Sequence, residues 1–137
     1  MMSHYTKVPA QLKDVQAIKM ACDRLGVDLV PNGIARGWMG NRLKAPYVIK
    51  LKGAYDVALE KNADGTFDLV ADWSMGTNIE REIGPNGGRL LQMYGASIVH
   101  LEAERQGMKV EETVMQDGKL RFRLYQEDEG QYERLRY

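Results

Sequence analysis

Two histidines, one cysteine and two mid-strand aspartates are the side chains of this sequence best suited to chemistry. His100 and Glu104 stand four residues apart, which puts both on one helix face and suits two ligands of a metal ion. A third ligand would have to come from His4, Cys22 or a distant carboxylate, and the plainer reading is a surface histidine beside a glutamate. Nucleophilic catalysis needs a nucleophile, a base and an orienting group in contact. Cys22 falls on the inward stripe of a helix, where a thiol is inert. Ser3, Ser74 and Ser97 sit in no strand-turn-helix elbow. The residues therefore assign no catalytic group and no metal site, and no cofactor is expected.

Asp56 and Asp72 interrupt apolar strands, and by alternation both point away from the face that holds Tyr55, Val57, Leu69 and Trp73. On a solvated face, Lys50 would pair with Asp56 as an ordinary cross-strand neighbour. On a covered face, both carboxylates would lose water, and their pKa values would rise unless they were paired. That second arrangement would make an acidic contact site.

Between Asp28 and Asp56 there is no acidic residue, while Arg36, Arg42, Lys44, Lys50 and Lys52 supply five positive charges. Trp38 and Tyr47 lie among them, and Gly33, Gly37 and Gly40 allow close backbone approach. Cations interleaved with aromatic platforms suit a phosphate backbone or a single strand. The same lysines also fit a loop beside an edge strand, where charge discourages aggregation. Trp38, flanked by glycines, is the candidate for an exposed anchor at a protein interface, whereas Trp73 is expected to close the core. Gly84-Pro85-Asn86-Gly87-Gly88 precedes a helix, and Arg89 beside its free amides could hold an anion; ordinary capping explains the segment equally well.

The elements that position these residues follow from periodicity. Leu12, Val15, Ile18, Cys22 and Leu25 predict a helix, with Thr6 as its cap, Pro9 in its first turn and Gly26 at its end. Tyr47, Ile49 and Leu51, then Tyr55, Val57 and Leu59, then Phe67, Leu69, Ala71 and Trp73 alternate as strands. Opposing Leu51 to Tyr55 puts all three sets on one face and sets Lys50 across from Asp56. A second helix spans about Arg89 to Gln106, closed by Gly107. A final hairpin joins Met108–Val114 to Leu120–Tyr125. A three-residue turn, Gln116-Asp117-Gly118, aligns Val110 with Leu124, Val114 with Leu120 and Glu111 with Arg123; a two-residue turn would mix the faces. The expectation is one α+β domain over residues 1–126, an antiparallel meander with a C-terminal hairpin and two main helices on one face. Residues 127–137 form a polar, acidic tail.

At 137 residues the chain can bury a core without staples. Lys plus Arg equals Asp plus Glu, 19 against 19, so no global field draws it to nucleic acid or anionic lipid. A single cysteine fits a reducing compartment, and no apolar run reaches the ~18 residues of a membrane span. The first thirteen residues lack a hydrophobic signal core. The cytoplasm, or a plastid stroma, is the expected location, with no membrane contact.

Met2-Ser3-His4-Tyr5, Leu25-Gly26-Val27, Arg36-Gly37-Trp38 with Gly40, Tyr55-Asp56-Val57 and Leu69-Val70-Ala71-Asp72-Trp73 occur in this order. They are followed by Gln92, Tyr94, Val99, Glu102, Gln106-Gly107 and Leu120-Arg121. Together they resemble the family named after the hypothetical chloroplast reading frame "ycf thirty-five", a domain of unknown function, over about residues 2–126. The segment around Pro85 and the tail beyond Gln126 depart from its pattern. The resemblance brings no catalytic residues. It implies occurrence in cyanobacteria, plastids, bacteria and phages, with bacterial members encoded near AAA-type ATPases. Three functional expectations follow. The first is a non-enzymatic accessory or adaptor protein, with an AAA-type ATPase as the partner the resemblance suggests. The second is a nucleic-acid-binding module using residues 36–52. The third is an enzyme or metal protein using His4 and His100 or Asp56 and Asp72.

Overall fold

Pro9 fits a first helical turn or an edge strand, and pairing with a later strand decides for the strand. Its ring fixes φ and removes a backbone donor, which an edge strand tolerates. In the computed structural model, which describes residues 5–74 and 76–126, Thr6–Leu12 is a strand, β1. The helix predicted from a cap at Thr6 is therefore corrected. It begins at Val15, where the Asp14 carboxylate accepts the Ala17 N–H at 3.2 Å. β1 runs antiparallel to a later strand as far as Val8, and the ladder then slips before Leu12. Across the slip, Asp68 accepts the N–H groups of Ala10 and Gln11 at 3.0 and 3.1 Å. Leu12 satisfies a helical stripe and a strand equally, and the strand claims it. Helix α1 (Val15–Leu25) ends at Gly26, which is left-handed at φ 73° as the sequence requires.

Strands β2 (Asp28–Arg36), β3 (Arg42–Lys50), β4 (Val57–Lys61) and β5 (Phe67–Ala71) complete an antiparallel sheet of order β1-β5-β4-β3-β2. Its central register follows the alternation in the sequence. Ile49 faces Val57, and Leu59 faces Leu69. The face carrying these residues is covered by Ile18, Ala21 and Cys22 of α1, by Ile79 and Ile83 of the short helix α2 (Ile79–Ile83), and by Leu90 from the start of α3 (Gly88–Arg105). Trp73 packs at the margin of this core and donates its indole N–H to the Thr6 carbonyl at 2.9 Å. Gly87, at φ 75°, comes so close that an added Cβ would lie 2.7 Å from Leu69 Cδ1.

The other face is covered by the chain's own hairpin. β2 and β3 pair from Asp28 opposite Lys50 to Arg36 opposite Arg42, with a break at Asn32 and Pro46. β3, however, pairs with β4 only over Tyr47–Ile49. Beyond Pro46, and beyond Asn32 at φ 50°, the hairpin leaves the sheet and bends back over it. Small side chains make this possible. Ala35 and Ala45 of the returning arm rest on Val48, Ala58 and Val70, and a Cβ on Gly33 would meet Val48 Cβ at 3.1 Å.

By packing, the chain divides into two compact units, residues 1–94 and 95–137. In the second unit, β6 (Met108–Val114) and β7 (Leu120–Gln126) form a two-stranded hairpin. Val110 faces Leu124, Val114 faces Leu120 and Glu111 faces Arg123, with Gly118 left-handed at φ 84°, which is the bulged-turn register expected. The fold is α+β. Among the described residues no helix is long and apolar enough to cross a membrane. The acidic tail expected over 127–137 lies outside the described residues.

The central sheet sets the stability. Leu59→Ala empties a fully buried site and is expected to cost about 2–5 kcal/mol in urea unfolding. Val114→Ala, at a side chain 68% exposed, should cost under about 0.5 kcal/mol.

Candidate functional site

Strand register brings the scarce charged groups into one row. Each ladder, carried one residue past its last apolar pair, sets Tyr5 beside Asp72, Asp72 beside Asp56, and Asp56 beside Lys50. The row crosses four strands on the face that the arm covers. Asp56 and Asp72 are both buried there, at 0% and 1% exposure. The covered-face arrangement is the one the structure adopts, and Lys50 pairs with Asp56 within it.

Asp56 is the centre of the row. Oδ2 accepts the Arg36 backbone N–H at 3.0 Å, Arg36 Nε at 2.7 Å and Lys50 Nζ at 3.0 Å. Oδ1 accepts Arg36 Nη2 at 2.8 Å and the Leu51 N–H at 3.0 Å. The Asp56 N–H in turn donates to the Arg36 carbonyl at 3.0 Å. The guanidinium reaches on to the carbonyls of Leu51 and Gly53 at 3.1 and 2.7 Å. Burial alone would raise the Asp56 pKa. The Arg36 side chain, its backbone N–H, Lys50 and the Leu51 N–H outweigh burial and hold it at about 2. A carboxylate saturated in this way fastens an arm and has no lone pair left for proton transfer.

Tyr5 fastens the tip. Its hydroxyl lies 3.0 Å from the carbonyls of both Ala35 and Asn41, which share its single proton, and burial, with Asp72 next in weight, raises its pKa. Gly37 is required beneath it, because a Cβ there would lie 2.6 Å from Tyr5 Cζ. Beyond these ties the tip turns through Trp38, Met39 and Gly40, with Met39 held at φ 51°. Asp72 accepts the Ser74 N–H at 3.1 Å and the Ser74 hydroxyl on Oδ1, while its buried Oδ2 has no hydrogen-bond partner among the described residues.

The remaining candidates separate. Arg36 and Lys50 are ion-paired to Asp56. Arg42 and Lys44 are exposed on the returning strand of the arm, and Lys52 is exposed at the β3–β4 turn. Trp38 is 42% exposed at the tip. Arg89 is exposed at the start of α3. His100 Nε2 lies 3.1 Å from Glu112 Oε1 and its ring meets Phe122 edge-on, so its partner is Glu112, on β6. His4 lies outside the described residues. Cys22 is buried, and burial pushes its thiol up to about 12. No group of three or more His, Cys, Asp or Glu side chains among the described residues is placed to hold a metal ion.

Sequence reasoning missed two contributors. Tyr5 was read only as part of a resemblance. Glu82 also went unnoticed, although it accepts the N–H groups of Lys52 and Gly53 at 2.6 and 2.9 Å and the Asn78 amide. Gly53 was the available signal for that clamp, because a Cβ there would collide with Asn78.

A family model matches residues 21–122, most of the chain. The chain belongs to the family described as Protein of unknown function (DUF1257). The DUF1257 match takes in the arm, Asp56 and Asp72, and leaves Tyr5 outside. Comparison with curated proteins and with solved structures found no match.

The grip on Asp56 yields a prediction with a defined sign. Its folded pKa of about 2 lies below the ordinary 3.8, so the stabilisation is complete above about pH 4 and is lost as pH falls toward 2, by about 2 kcal/mol. Asp56→Asn should lose about 3 kcal/mol at neutral pH and flatten that acid limb. Urea unfolding from pH 2 to pH 6 measures both.

Proposed function

We propose that this protein is a non-enzymatic accessory or adaptor protein that works through protein–protein contacts made by the tip of the β2–β3 arm. The observation that carries the reading is the exposure of Trp38 at 42%, Met39 at 78% and Ile34 at 49% on a hairpin held down by Asp56 and Tyr5. Side chains of this size, exposed together at the end of a fixed hairpin, are placed to be covered by a partner. Aromatic anchors dominate binding energy at interfaces, and methionine adapts to irregular partner surfaces. An anchor fixed before binding loses little conformational entropy on docking.

Two further observations favour this reading over its rivals. Asp56, the carboxylate best placed for acid–base work, is occupied by five donors. Of the five cations in residues 36–52, Arg36 and Lys50 are paired to Asp56, which weakens the case for a phosphate-binding stripe. The sequence resemblance supplies a partner class, an AAA-type ATPase.

The test is site-specific photo-crosslinking in cells. A photoreactive residue at position 39 should join a defined partner protein, while the same residue at exposed position 104 should not. Trp38→Ser with Met39→Ser should reduce capture of that partner at least tenfold with an unchanged unfolding midpoint. Equal capture by the double variant rejects the tip as the contact surface.

A further inference from the structure

Where β3 leaves the sheet it opens a cleft. β4 runs on to Glu60 and Lys61, which pair with Asp68 and Phe67 of β5 on one side. On the other side the β3–β4 ladder has already ended at Tyr47 opposite Leu59. Over Arg42–Ala45, β3 pairs with β2, and among the described residues no strand lies along its other edge. The Gly37 N–H donates to the Asn41 carbonyl. Antiparallel alternation therefore makes Ala35–Leu43 and Gly33–Ala45 the hydrogen-bonded pairs and turns the main-chain groups of Arg42 and Lys44 outward. Pro46, at the bend, has no N–H to offer.

The cleft has a definite lining. A groove of about 280 Å³ is bounded by Leu43, Lys44, Ala45, Pro46, Ala58, Glu60 and Lys61. Its floor is apolar, formed by the same Ala45 and Ala58 that meet beneath the arm. Its rim is cationic. Glu60 is neutralised by Lys7, 2.6 Å away, whereas Lys44 and Lys61 form no ion pair among the described residues. Arg42 is exposed on the same strand edge.

We infer that this cleft binds an extended acidic segment of a partner protein, laid along the outer edge of Arg42–Ala45. Main-chain hydrogen bonds to Arg42 and Lys44 would extend the arm by one strand. Alternate side chains of the segment would enter the apolar groove, and the intervening carboxylates would meet Lys44, Lys61 and Arg42. The inference rests on the adaptor reading and gives its partner a chemistry. It uses a surface distinct from Trp38 and Met39.

Fluorescence anisotropy with the full chain tests it. The probes are a labelled peptide of alternating glutamate and valine, its lysine–valine counterpart, the acidic peptide with N-methylated backbone, and a labelled oligothymidine. The acidic peptide should bind, more weakly as salt rises. Lys44→Glu with Lys61→Glu should weaken it at least tenfold, and N-methylation should do the same. Trp38→Ser should leave it unchanged, which separates this cleft from the tip: loss of crosslinking at position 39 with retained peptide binding would reject only the tip. Failure of the acidic peptide to bind, equal binding of the basic peptide, indifference to N-methylation, or binding of oligothymidine in its place would overturn the proposal. Lys44 and Lys61 are exposed, so the double variant should fold, and an unchanged circular dichroism spectrum checks that it does.

Discussion

A buried carboxylate is costly unless its charge is answered, and three of the five donors that answer Asp56 come from one residue. Arg36 offers it a backbone N–H and two guanidinium nitrogens, and accepts the Asp56 N–H in return. This exchange joins the far end of a hairpin to the start of β4. Without it, the arm would be held by the shallow contacts of alanines, by Tyr5 and by the Lys50 ammonium on the Ile34 carbonyl. With it, the arm becomes a second layer, and the sheet is enclosed on both faces although its helices cover one.

The two layers are built on different principles. The helical side is closed by large aliphatic residues, Leu12, Ile18, Ile49, Leu59 and Leu90, all essentially without exposure. The arm side is closed by Gly33, Ala35 and Ala45 against Val48, Ala58 and Val70. Short side chains let one β-layer lie almost directly on another, but they release little apolar surface from water. Directed charge makes up the difference, and it also fixes where the arm stops. The tip therefore projects Trp38 and Met39 from a defined position.

How much of this the sequence disclosed depends on the range of each interaction. The register of β3, β4 and β5 was legible because alternation and the Lys50–Asp56 pair agreed across short turns. The last hairpin was legible because only a bulged turn kept Val110 and Val114 on the side of Leu124 and Leu120. Gly26 and Gly107 marked the ends of the two main helices. β1 was misread because Leu12 fits a helical stripe and Pro9 fits a first turn, and only the pairing with β5 decides between them. The arm was not legible at all. Its clues, Asn32 and Pro46 at the bend and small residues beyond, are local, whereas the partners that give them meaning are distant in sequence. Hence the Asp56–Lys50 half of the site was foreseen, and the contributions of Arg36 and Tyr5 were not.

The separation of Arg36 and Asp56 by twenty residues has an outcome for biosynthesis. A chain emerging from the ribosome presents the whole β2–β3 hairpin before the carboxylate that captures it, and before the strands it must lie upon. For that interval the underside of the arm and its aromatic tip are open to the surroundings together. The nascent hairpin is thus sticky on two sides, and whatever shelters it must let go once β4 and β5 arrive.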